Sequence, residues 1–412
     1  MSTEMDRSDQ FRKKKELLAQ FNPCDRCLGR QFHNLFKGPN PSIGWAVRNA
    51  EKIEDVNELL SKEPRPNLFE CYLCDGMFTN LDKNAKRVIE LLANYDFDTF
   101  LIGVRIPKTL AAREKEVWQK VGDEYAEPLK KEIAREVGKK VEKETGKSFD
   151  PNPDIAVVLD FNYSPPKIEL QIKSLFVYGE YQKLKRDIPQ TRWLCPKCRG
   201  KGCRYCDFTG KLYRTSVEEE IGRPIIELTG GTDFKFHGSG REDKDVLNIG
   251  WRPFVIEILN PVVRRIDLDL VEERINKGEL IKVKGLRFSS KEEVRELKSA
   301  KFDKTYLALV RCDWDEDMIK RIENAFNNVV INQRTPTRVS HRRADKIRKR
   351  RIYYVKITPV DNSHFRAEIK AESGTYIKEL VSGDNGRTDP SFSSIAGKPC
   401  IVEELTVLEV HK

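Results

Sequence analysis

No stretch of this sequence approaches eighteen consecutive apolar residues, so no helix long and apolar enough to cross a bilayer is expected. The first fifteen residues, MSTEMDRSDQFRKKK, carry charge without an apolar centre, which argues against a secretory leader and for a cytoplasmic chain. Histidine is scarce, with 5 in 412 residues and none in an HExxH-like spacing, so a histidine-based metalloenzyme is not expected. There is no P-loop and no GxGxxG, which removes the common cradles for bound nucleotides. No long repeat is present, which excludes a solenoid. What the chain does have is charge. Lys and Arg number 75 against 65 Asp and Glu, a net +10 that suits a polyanionic partner without naming it. With 39% apolar residues over 412 positions, two to four soluble domains are expected, and nothing demands more than a monomer.

Cysteine is the second abundance. Eight of the 10 stand in Cys-x-x-Cys pairs, and a reducing compartment favours metal ligation over disulfides. Cys24–Cys27 and Cys71–Cys74 are separated by 43 residues, within a first unit expected over 1–80. Two such turns offer four thiolates to one tetrahedral zinc ion in a structural role. A second set, Cys195–Cys198 and Cys203–Cys206, lies in two back-to-back eight-residue units, CPKCRGKG and CRYCDFTG. Only four residues separate its pairs, so zinc, a redox dithiol and plain thiols all stay open there. Structural zinc, one ion or two, is thus the only metal expected. Cys312 and Cys400 suggest no role.

Between these cysteine sets the pattern is mixed α/β. A helix is expected over 81–95, a strand over 100–105, charged helices through 109–146, and alternating strands at 155–161 and 167–175. Tyr178, Tyr181, Lys183, Lys185 and Arg186 then interleave aromatics with cations, as nucleic-acid surfaces do, although such a stretch is ordinarily a solvated edge. From 213 onward strands and helices alternate without strict βαβ order, which points to a mixed sheet with helices on its faces. A charged loop, Gly238 to Asp245, joins two strand-like runs there. Such a loop is ordinarily a solvated turn. The run His341–Arg351 holds seven Lys or Arg and one acid, which on its own fits a localisation signal or a solvated helix equally well.

Several of these segments carry resemblances. Gly240-Arg241-Glu242-Asp243 resembles the Gly-Arg-x-Asp active-site loop of pseudouridine synthases. Ser174–Gln190 resembles the close of a THUMP domain, an RNA-binding module. CPKCRGKG resembles the repeat of DnaJ-type zinc hairpins. Gly374-Thr-Tyr-Ile-Lys378 is similar to the Gly-Thr-Tyr-Ile-Arg segment of TruB enzymes, and Lys304-Thr-Tyr306 to a Lys-x-Tyr strand of the same group. Taken together and in order, the chain is identified as a member of the archaeal-type Pus-ten family of tRNA pseudouridine synthases.

The resemblance implies an α+β fold: a mixed, largely antiparallel catalytic sheet over 213–412, a zinc hairpin or linker over 191–212, a THUMP-like domain over 81–190 and the zinc module over 1–80. It implies isomerisation of uridines 54 and 55 of the tRNA T-loop, with Asp243 as the indispensable carboxylate. Whether that carboxylate attacks C1′ or C6, or removes the C2′ proton, is left open. Lys378 is implied as its cationic partner, with a point charge where the family has a guanidinium fork. Tyr306 is implied to stack on the flipped base and Tyr376 to line the pocket. Arg241, Gln333, Arg334, Arg338, Arg342 and Arg343 are implied to grip the T-arm through phosphates, and Gly383–Thr388 to order the pocket floor. The partner is tRNA, with no membrane and no protein partner. A strand tyrosine is ordinarily core, and that reading of Tyr306 stands beside the functional one. A non-catalytic zinc and THUMP adaptor is the alternative, and it leaves the catalytic segments without a purpose. A THUMP methyltransferase or thiouridine synthase would need a nucleotide loop that the sequence lacks.

Overall fold

The computed structural model describes residues 2–412, with the side chains of residues 2–7 and of Arg342 outside the description. Two units divide the chain, Met1–Lys173 and Ser174–Lys412.

The first unit opens with α1 (Ser2–Ala19), α2 (Asp25–Gly29), α3 (Asn40–Asn49) and α4 (Asp55–Ser61). Helices α2 and α3 meet at two glycines. A Cβ on Gly29 would lie 1.9 Å from the Asn40 carbonyl oxygen, and one on Gly44 would lie 1.7 Å from that of Asp25. Only bare backbone fits at this crossing. An α/β part follows: α5 (Leu81–Leu92), β1 (Thr99–Arg105), α6 (Lys108–Val121), α7 (Leu129–Thr145), β2 (Ser148–Phe149), β3 (Ile155–Asp160) and β4 (Lys167–Ile172). Its sheet runs β2-β1-β3-β4, parallel except for β4. Alternate β3 residues Ile155, Val157 and Leu159 join Ile133, Val137 and Val141 of α7 in one core. That core also takes Leu28, Phe32 and Val47 from the helical part. Residues 1–80 and 81–172 therefore share an interior instead of forming the separate modules expected.

The second unit contains β5 (Leu175–Lys183), α8 (Val217–Thr229), β6 (Asp233–Gly238), β7 (Val246–Leu259), α9 (Leu268–Asn276), β8 (Ile281–Ser289), α10 (Lys291–Ser299) and β9 (Asp303–Arg311). Beyond these come α11 (Glu316–Ala325), β10 (Val329–Arg334), β11 (Ile347–Asp361), β12 (His364–Ala371), α12 (Ile377–Ser382), β13 (Thr388–Asp389), α13 (Phe392–Ala396) and β14 (Ile401–His411). Ser216, Asp267, Ser290 and Asp315 cap α8 to α11, each accepting a hydrogen bond from a backbone N–H of the first turn. A ten-stranded sheet runs β13-β10-β11-β12-β9-β14-β7-β5-β8, with β6 paired to β7. Its pairings are antiparallel except for β14 with β7.

Three differences from the sequence reading bear on function. The segment at 174–183, read as the close of the THUMP part, is β5, an inner strand between β7 and β8. Its apolar residues Leu175, Val177 and Tyr181 bury into the second unit's core, so the boundary expected at 190 falls at 173. The cysteine hairpin at 195–206, expected as a linker, is an excursion inside the second unit between β5 and α8. Part of the basic run is strand and not solvated helix: residues 347–351 start β11, paired to β10.

Candidate active site

The charged loop at residues 239–245 hangs between β6 and β7, and its backbone is held from below. Lys183, at the buried end of β5, donates from Nζ to the carbonyls of Ile188 (3.0 Å), Asp243 (3.1 Å) and Lys244 (3.0 Å). Burial pulls this amine down to about 8, with neighbouring Glu242 opposing the fall. Gln190 donates to the Gly240 carbonyl at 3.2 Å, and Arg186 to that of Asp245 at 2.7 Å. Consecutive acids then face opposite ways. Glu242 turns inward and is buried. It accepts from the Tyr181 hydroxyl at 2.6 Å and from Gln190 at 3.1 Å, and lies 2.6 Å from Arg252 Nη1. Asp243 turns outward and lines a cleft of about 240 Å³, a size suited to one nucleotide and not to a duplex.

Two cations from the other half of the sheet meet Asp243. Arg338 Nη1 lies 2.8 Å from Asp243 Oδ2, and Lys378 Nζ lies 3.8 Å from the same oxygen. Lys378 makes its shorter contact with Asp245, 2.7 Å from Nζ to Oδ2. Burial pushes the Asp245 carboxyl up, but the ammonium against it wins and leaves it below its ordinary value. A guanidinium therefore reaches Asp243 from 338, and Lys378, the expected point charge, sits between two carboxylates. Arg338 is fixed from behind by Glu379, with Nε to Oε1 at 2.7 Å. Its guanidinium is shared between Asp243 and Glu379 while the side chain stays partly exposed.

The other predicted residues fall into two groups. Tyr306, on β9 beside β12 and β14, lines the cleft and is 9% exposed. Burial pushes its hydroxyl up to about 12, so it stays neutral. Tyr376 precedes α12 and lines the cleft, its hydroxyl accepting from Arg343 Nη1 at 3.1 Å. Arg241 and Arg343 are exposed at the mouth. Gln333, by contrast, is 1% exposed and clamps the Tyr376 backbone, its amide accepting from that N–H and donating to that carbonyl at 2.9 Å each. A side chain consumed by two backbone bonds is not free to bind substrate. Arg334 lies outside the cleft, paired with Asp345 at 2.6 Å. The side chain of Arg342 lies outside the described residues.

Residues 383–388 do not form the floor either. They brace the basic loop: Asp384 accepts from the Thr337 N–H at 2.8 Å, and Arg387 donates to the Thr335 carbonyl at 2.7 Å. The floor is built from residues the sequence reading passed over: Glu242, Arg252, Lys304 and the β14 side chains Leu405 and Val407. One signal was visible, a cation inside the apolar run Trp251–Leu259.

Both cysteine sets are assembled, their sulfurs within 4.8 Å of one another in each group of four. In the second set Cys195–Cys203 and Cys198–Cys206 stand 3.9 and 3.8 Å apart. A tetrahedral ion with sulfur at about 2.3 Å demands edges of ~3.8 Å, so the spacing fits. Backbone N–H groups of Gly202, Cys203 and Gly210 point at Cys198 and Cys206 sulfurs at 3.2 to 3.3 Å, as thiolate ligands require. Each set can hold a metal ion. Among the described residues no helix is long and apolar enough to cross a membrane.

A family model described as Pus10, C-terminal, matches residues 176–411, and one described as Pus10 THUMP domain, archaeal, matches residues 84–160. The chain belongs to the Pus10 family. It is 42% identical to "tRNA pseudouridine synthase Pus10" of Methanocaldococcus jannaschii, over 96% of this chain and 93% of that one. It is 40% identical to the protein of the same name from Methanopyrus kandleri, over 96% and 97%. Among solved structures, a Cbf5–Nop10–Gar1 complex matches 55% of this chain and 47% of its own at 17% identity, with a TM-score of 0.30. The Pus10 THUMP match ends at 160, ahead of the segment at 174–190 where the THUMP resemblance was read.

Proposed function

We propose that this chain is a tRNA pseudouridine synthase that isomerises uridines 54 and 55 of the T-loop, with Asp243 as the essential carboxylate. The observation that carries the reading is the outward Asp243 in a one-nucleotide cleft, flanked by Tyr306 and Tyr376 and bracketed by two cations. Breaking N1–C1′, turning the ring and joining C5 to C1′ neither adds nor removes a group, so no redox cofactor takes part. The reaction needs an ionised carboxylate held beside the sugar. Arg338 and Lys378 hold Asp243 in place. Tyr306 gives the extruded base an aromatic wall, which lowers the cost of leaving the stack. Arg241, Arg343 and the basic strand residues Arg348 to Arg351 draw the T-arm in through its phosphates.

Zinc is assigned to both cysteine sets in a structural role, and the protein acts as a cytoplasmic monomer on tRNA. Metal analysis near two zinc ions per chain supports both sites, whereas one ion removes the assignment at 195–206.

The decisive experiment incubates unmodified tRNA transcript with wild type and with Asp243→Asn, then maps pseudouridine by carbodiimide labelling and primer extension. Stops at 54 and 55 with wild type alone are expected. Stops with both proteins discard Asp243. Stops with neither, despite tight tRNA binding, make the chain an adaptor.

A further inference from the structure

The floor of the cleft holds a cation that the reading above does not use. Arg252, on β7, is 2% exposed and lines the cleft. Its Nη1 approaches Glu242 Oε2, but without hydrogen-bond alignment. Among the described residues neither Nη1 nor Nε of Arg252 has a hydrogen-bond acceptor. Glu242 compensates the charge of Arg252, but its two oxygens are each shared with another donor, Tyr181 on one and Gln190 on the other. Lys304 adds a second buried cation to the same floor, its amine donating to the Phe302 carbonyl at 2.8 Å. Two cations against one carboxylate leave the floor electropositive. Buried polar groups normally find partners, and a guanidinium short of acceptors in the lining of a cleft can gain one from whatever enters.

Only the base of a flipped nucleotide reaches that depth, since its phosphates stay at the solvent side. Resting on the isomerase reading, the geometry points to Arg252 as the group that receives a uracil carbonyl, O2 or O4, and takes up the negative charge the base acquires during the reaction. The N1–C1′ bond breaks with its electron pair leaving on the base, and that charge spreads onto O2 and O4. C5 then bonds to C1′, and the proton lost from C5 is balanced by one gained at N1. Whichever atom Asp243 meets, the departing base carries the electron pair, so a fixed guanidinium at a carbonyl speeds the bond-breaking step. Neighbouring Tyr306 is neutral and does not oppose it.

Sulfur in place of one carbonyl oxygen tests the contact. T-arm stem-loops carrying uridine, 2-thiouridine or 4-thiouridine at the target, tritiated at C5, are assayed by tritium release in single turnover. Wild type, Arg252→Gln and Arg252→Lys are compared, with RNA affinity and melting measured alongside. Arg252→Gln is expected to lower the uridine rate by ~10²-fold with RNA affinity nearly unchanged. One thio substitution should slow wild type by ~10-fold and leave Arg252→Gln indifferent, identifying the carbonyl. A folded, RNA-binding variant that loses the same factor on all three substrates would make Arg252 a brace for Glu242 and overturn the assignment. A wild type indifferent to sulfur at both positions overturns it too, however stable the variants prove. No release by wild type from any stem-loop defeats the isomerase reading itself.

Discussion

The mouth and the floor of the cleft are both made of ion pairs, yet they obey different physics. At the mouth Asp243, Asp245, Arg338 and Lys378 come from two loops and a helix start, and their side chains are a quarter to a half exposed. On the floor Glu242, Arg252 and Lys304 come from a loop anchor and two strands, all of them buried. Water and salt screen the first group, so its pairs can exchange partners as substrate arrives. The second group is held in low dielectric, where its arrangement is fixed before anything binds. One turn of backbone, between Glu242 and Asp243, separates the adjustable part from the rigid one. The difference suggests a division of labour: the mouth handles the sugar and phosphates, which vary in approach, and the floor handles the base, which does not.

This contrast can be broken experimentally, beginning with the largest effect. Asp243→Asn should reduce single-turnover pseudouridine formation by at least ~10³-fold while leaving tRNA affinity within a few-fold. A comparable loss of binding would mean that the residue is structural.

The floor makes a pH prediction. Burial, with Arg252 adding to it, pulls the Lys304 amine from 10.5 down to about 8. Between these values the unfolded chain keeps a proton that the folded chain has released, so stability conferred by this residue rises with pH. Wild type should gain about 2 to 3 kcal/mol over Lys304→Met from pH 8 to pH 10.5 in denaturant titrations. A flat difference would show that the amine is not truly buried.

Arg338→Gln should slow the reaction by ~10- to 10²-fold, and guanidinium ion added to the buffer should restore part of the rate. Failure of rescue in a folded variant would assign Asp243 to Lys378 alone. The smallest change belongs to the outer pair. Asp245→Asn is expected to alter the rate by no more than ~5-fold, an effect that shrinks further in high salt.

The sequence disclosed much of this arrangement because motifs are local. Gly240–Asp243 and Gly374–Lys378 are contiguous, and capping residues such as Ser290 and Asp315 mark helix starts directly. Alternation located β3 and β4, and the strand expected over 100–105 is β1. What stayed hidden depends on long-range pairing. The partner of β5 lies some seventy residues downstream in β7, so a strand of the second unit passed for the end of the first. Arg338 and Gln333 sit in one basic, polar stretch, and composition cannot tell which side chain turns inward. Tertiary structure sends Gln333 to the Tyr376 backbone and Arg338 to Asp243. The floor was missed for the same reason. Lys304 stands in the sequence reading only as the neighbour of Tyr306, and Arg252 is not singled out there.

Strand β14 has a consequence for how the enzyme comes into being. It lies between β9 and β7, and the path of strands through the sheet connects its two sides only there. Asp243 and Arg252 stand on one side, Tyr306, Lys378 and Arg338 on the other. A nascent chain that has emerged as far as residue 400 therefore owns every one of those side chains and still has no cleft. The two sides of the cleft are joined only when residues 401–411 insert between β9 and β7.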